Sequence, residues 1–144
     1  MESNIFTYLE AQATVTAQVG TSPDERIYSG DRPQGSTLPA LTIALLDGEY
    51  WHDLGSASGM SKAMIAITSW STTKQGARTL SEIIRGEMAG YTSAVGQMGS
   101  LDVHYVELLG ETERRERKSD ASDSFIVGIV QDYLMSHDVS IPTF

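Results

Sequence analysis

The chain has 144 residues, 40% hydrophobic and 20% charged, with a formal net charge of −9 and no cysteine. That is the composition of one ordinary globular domain. The acidic balance argues against a primary nucleic-acid binder, which needs a basic face for phosphates, and the lack of cysteine excludes disulfides, thiolate nucleophiles and Cys-type zinc sites. Met1 to Asn4 lacks the basic-then-apolar profile of a signal peptide. No apolar run approaches the ~20 residues needed to cross a bilayer. The expectation is a soluble chain made in the cytoplasm, with no membrane partner.

The four-residue spacing of Ile5, Leu9, Ala13 and Ala17 predicts a helix over 3–18, with Ser3 as N-cap. Gly20 and the turn residues Thr21-Ser22-Pro23-Asp24 end it. Arg26-Ile27-Tyr28 is a short strand candidate, and Gly30, Pro33, Gly35 and Pro39 make 29–39 a loop. Leu41 to Leu46 reads as a buried strand and Lys62 to Trp70 as a second β-rich run. Asp47 to Ser61, polar and carrying Gly48, Gly55 and Gly59, reads as a long loop between them. Thr72 and Gln75 fit a capping box, and Ala77, Leu80, Ile84, Met88 and Tyr91 form an apolar stripe. Arg78 and Glu82 lie one turn apart on that helix's other side, and Gly90 is placed to cap its end. The chain closes on a hairpin of 101–115 and 124–134, with Gly128 marking a bulge or a close approach. The order α-β-β-β-α-β-β predicts an α+β two-layer domain, an antiparallel β-sheet with helices packed on one face.

Chemistry is sparse. Gly55-Ser56-Ala57-Ser58-Gly59-Met60-Ser61-Lys62 has three residues between its glycines where a phosphate-binding loop needs four, and Lys62 is displaced. Ala57 at its centre rules out a nucleophile elbow, so it reads as a flexible surface loop. His52, His104 and His137 lack metal-site spacing. No catalytic residue, cofactor site or metal site is expected. Arg114-Arg115-Glu116-Arg117-Lys118 is the one basic cluster, a solvated hairpin end or a contact for an acidic partner. Of Tyr50, Trp51 and Trp70, one or two belong in the core, and any exposed one is an interface anchor.

These elements in this order resemble the tail-terminator, or tail-completion, family of long-tailed bacteriophages and gene-transfer particles. The matching stretches are Val19-Gly20, Arg26-Ile27-Tyr28, Leu38 to Ile43, Met64 to Trp70, the helix from Gly76 to Met88, and the hairpin carrying Arg114, Arg115 and Phe125 to Tyr133. The resemblance covers 3–135. It implies a single domain over 1–135 and a C-terminal arm over 136–144. It further implies a structural virion protein at the head-proximal end of the tail and not an enzyme. Such proteins form a ring, commonly of six identical subunits, that caps the tail tube, stops its polymerisation and offers its other face to the head connector. DNA passes through the hole without sequence-specific binding. Asp47, Glu49 and Asp53 are candidate lumen acids, and Trp51, Arg114, Arg115, Arg117 and Lys118 candidate interface residues. Two rival readings are a head-side neck protein, and a small-molecule-binding or enzymatic domain with a concave pocket of convergent polar groups.

Overall fold

The computed structural model describes residues 2–20, 25–30, 38–53, 56–89, 103–117 and 125–138. Three helices and five strands follow in the order α1 (Glu2–Glu10), α2 (Ala13–Val19), β1 (Ile27–Ser29), β2 (Ala40–Asp53), β3 (Ser56–Ser71), α3 (Lys74–Ala89), β4 (Val103–Arg117) and β5 (Phe125–Asp138). The strands form one sheet in the order β1-β2-β3-β5-β4. The helices lie on one of its faces, over a continuous core that includes Ile5, Leu9, Leu41, Ile43, Ile65, Ile67, Leu80, Ile84, Met88 and Tyr133. Burying each such side chain stabilises the fold by roughly 1.5–3 kcal/mol.

The predicted N-terminal helix is two helices. The N–H groups of Ala11 and Gln12 bond three residues back, to the carbonyls of Tyr8 and Leu9, and this tight turn changes the phase of the face that follows. Beyond it Val15 and Val19 are buried, whereas Ala13 and Ala17 are exposed. Gly20, at φ 90°, caps α2 by donating its N–H to Thr16 O at 2.9 Å, a backbone conformation that a side chain would oppose. Arg26 then ties the layers together, donating from Nη2 to Gln18 O and from Nε to Pro39 O.

The sheet is antiparallel except at β1, which pairs parallel with β2 from Ile27↔Leu41 to Ser29↔Ile43. Gly30, at φ 80°, ends that pairing with its N–H on Ile43 O. The larger correction concerns 47–61. The predicted loop is the outer half of a long hairpin, paired from Asp47↔Met64 to Asp53↔Ser56. β5 pairs with β3 only as far as Met60↔Asp138, so Ser56 to Gly59 run past it. The glycine-bearing stretch from Ser56 to Lys62 is therefore β3 and not a surface loop.

Helix α3 carries its predicted stripe, with Ala77, Leu80, Ile84 and Met88 buried; Gly90 and Tyr91 lie outside the described residues. Its cap is Thr73 rather than Thr72, the Thr73 hydroxyl accepting from the Gly76 N–H at 3.0 Å. Arg78 reaches across to Glu111 on β4 at 2.9 Å, not along the helix to Glu82. Ser136 and His137, expected in an arm, are buried in β5 opposite Lys62 and Ser61; 139–144 lie outside the described residues.

Candidate functional site

Among the described residues no helix covers the other face of the sheet. Side chains that alternate with the core residues line a concave groove of about 560 Å³ there. β2 contributes Thr42, Ala44 and Leu46, β3 Ala66, Thr68 and Trp70, β5 Val130 and Asp132, and β4 Thr112, Arg114 and Glu116. Trp70 forms its floor. The indole lies over Gly128, its cross-strand partner, and a Cβ added to Gly128 would meet ring atoms at 2.7 Å. Trp70 Nε1 donates to Thr42 Oγ1 at 3.2 Å, and both residues are buried. Gly128 thus marks a close approach, and of the three aromatics of which one or two were expected in the core, Trp70 is buried. The groove has an apolar floor and a charged rim, the mix found at protein contacts.

The predicted site residues do not converge. Asp47 and Glu49 stand at register positions opposite Met64 and Lys62, and Asp53 opposite Ser56. Trp51 falls in the register shift between Tyr50 and His52, and the side chains of 47–53 lie outside the described residues. Arg114, Arg115 and Arg117 stand opposite Gly128, Val127 and Phe125 at the other end of the sheet. From Met64 to Trp70 on β3 is six residues, or about 20 Å of strand. The three candidate acids therefore lie toward one end of the sheet, and the arginines, interleaved with Glu113 and Glu116, toward the other. Arg114 lines the groove, and exposed Arg115 pairs with Glu113 at 3.6 Å. Lys118 lies outside the described residues.

A polar cluster on the helix side joins three elements. Gln131, fully buried, donates from Nε2 to Ser81 O at 3.0 Å and to Glu111 Oε1 at 2.8 Å, and its Oε1 accepts from the Tyr133 hydroxyl at 3.0 Å. The Gln131 amide holds the Glu111 carboxyl below the usual carboxylate range, helped by Arg78 against the opposing effect of burial. Burial first, and the Glu111 charge second, push the Tyr133 hydroxyl up, so it stays a donor. These two shifted groups lie on the face away from the groove and have partners within the fold. Among the described residues no group of three or more His, Asp or Glu is arranged to hold a metal ion, and no helix is long and apolar enough to cross a membrane.

The groove and the free strand edges escaped the sequence reading. Alternation of Thr42, Ala44, Ala66 and Thr68 with Leu41, Ile43, Ile65 and Ile67 was the available signal, small and hydroxylic side chains sharing one face.

A family model described as "Tail completion protein gp17" matches residues 3–126. A chain of the solved structure "Virion of native gene transfer agent (GTA) particle" is similar in fold, with a TM-score of 0.65 and 15% identity over 96% of this chain and 94% of that chain. Comparison with curated proteins returns no match.

Proposed function

We propose a role for this chain from one premise: it belongs to the tail completion protein gp17 family. It is accordingly a structural protein of a phage-type virion tail, and not an enzyme. Within that role, the proposal is that identical copies, six in number, close into a ring on the head-proximal end of the tail tube. The ring ends tube polymerisation and presents its second face to the head connector, while DNA passes through the hole.

The observation that carries this reading is how much of the sheet is left open. Among the described residues one face of the sheet bears no helix, β1 and β4 have no strand on their outer sides, β1 pairs with β2 only from Leu41 to Ile43, and Leu45, Leu46, Leu109 and Phe125 stand out into solvent. Free edges invite pairing with another chain. The two ends of the sheet differ, Asp47 and Glu49 toward one and Arg114, Arg115 and Arg117 toward the other, which suits a head-to-tail ring, whose two faces differ. The net charge of −9 disfavours spontaneous association, so assembly waits for the tube end as template. Asp47, Glu49 and Asp53, on the projecting hairpin, are proposed to line the hole and repel the passing phosphates.

Electron microscopy of particles assembled with this gene deleted tests the role. Unjoined tails of uncontrolled length beside DNA-filled heads are expected. Tails of normal length beside leaking heads would move the protein to the head side of the joint, and intact joined particles would sink the proposal.

A further inference from the structure

The two outer edges of the sheet carry matching irregularities. β2 shifts register between Leu45 and Asp47, leaving Leu46 as an extra residue, and β4 shifts between Leu108 and Gly110, leaving Leu109. Both leucines are among the most exposed large apolar side chains, at 53% and 47%. They also stand at nearly one level. Leu45 pairs with Ile65, Ile65 with Tyr133, and Tyr133 with Leu108, a single row across four strands. Leu46 lies just to one side of that row and Leu109 just to the other, about 3 Å of strand between their levels and about 14 Å of sheet between the edges. Bulges on edge strands usually discourage pairing by twisting the edge away; here each also exposes a leucine.

We infer that the seam between neighbouring copies joins these two edges, Leu109 of one copy packing against Leu46 of the next. The inference rests on the ring proposed above and adds which surfaces close it. Strand direction permits it: β2, β3, β5 and β4 alternate, so β4 meets the β2 edge of an identically oriented neighbour antiparallel. Level permits it too. A head-to-tail contact closes into a ring only when it carries no step along the axis, and otherwise winds into a filament. Patches within one residue of the same height on opposite edges keep that step small. Among the described residues β1 covers β2 only from Leu41 to Ile43, and no other strand pairs with that edge from Ala44 onward.

The chain has no native cysteine, so site-specific cross-linking is clean. Tails are assembled with the Leu46→Cys/Leu109→Cys double variant and treated with a short bis-maleimide. A ladder of bands rising beyond the dimer is expected. Neither single variant gives a ladder or a dimer, and a control pair of Leu109→Cys with Glu82→Cys, on exposed α3, stays monomeric. Tails that contain the protein but give only monomer bands would overturn the seam and leave the tail role standing. Dimers from either single variant would overturn it in favour of a two-fold contact. Absence of the unaltered protein from tails would overturn the tail role itself, and the seam with it.

Discussion

Replacing Gly128 with alanine tests how the groove floor is built. Gly128 has no positive φ, since among the described residues only Gly20 and Gly30 do, so the backbone accepts a side chain. The space does not. The new Cβ would lie 2.7 Å from Trp70 Cε3 and Cζ3 and 3.1 Å from Thr68 Cγ2, whereas carbon atoms rest about 3.5–4.0 Å apart. The indole must retreat by about 1 Å, which overpacking data place at about 1–3 kcal/mol. The retreat also stretches the Nε1–Thr42 bond, already 3.2 Å, with a further loss of about 0.5–1.5 kcal/mol if it breaks. Reduced freedom of the unfolded chain returns about 0.4–1 kcal/mol. The net is a destabilisation of about 1–3 kcal/mol, or a fall in melting temperature of roughly 3–10 °C, read by calorimetry on the isolated chain. Gly110→Ala is the control, because nothing lies within 4 Å of its added Cβ; it should be neutral or slightly stabilising. Equal melting temperatures for the two variants would show that the Trp70 ring does not rest on Gly128 as described.

Thr73→Ala removes the acceptor for the Gly76 N–H and should destabilise by about 1 kcal/mol, visible as a lower urea midpoint with unchanged slope; Thr72→Ala, one residue earlier, should have little effect. Glu111 titrates below its unfolded value, so its contribution is fully present above about pH 4.3 and is lost as pH falls through the lower folded value. Glu111→Gln should therefore flatten the loss of stability on acidification, and urea midpoints that fall as steeply as in the parent chain would contradict the cluster. Reversing charge at Asp47, Glu49 and Asp53 together should leave joined particles of normal length while lowering infectivity and DNA delivery; normal infectivity would remove these acids from the lumen.

Legibility followed burial. Helix α3 was readable because Ala77, Leu80, Ile84 and Met88 sit on one covered face, and the closing hairpin because Ile129, Tyr133 and Met135 alternate into the core. The outer hairpin was not, since 47–61 is polar in sequence and its glycines read as loop, although a paired backbone tolerates them. The break after Glu10 was hidden because Ala13 and Ala17 continue the spacing of Ile5 and Leu9 while the valines hold the core. The parallel pairing of β1 depends on backbone bonds from Gly30 and Leu41, which no side-chain pattern announces. The candidate site was legible as residues and not as geometry: the acids and the arginines were visible, their separation to opposite ends of the sheet was not.

The floor of the groove has an optical consequence. The chain contains two tryptophans, and Trp70, buried between Gly128 and Thr42 with its indole N–H satisfied inside the protein, is set to emit at shorter wavelength than a hydrated indole. In a Trp51→Phe chain that emission belongs to one residue. Whatever fills the groove changes the polarity beside that single chromophore, so docking of the subunit is reported by its own fluorescence, in real time and without a label.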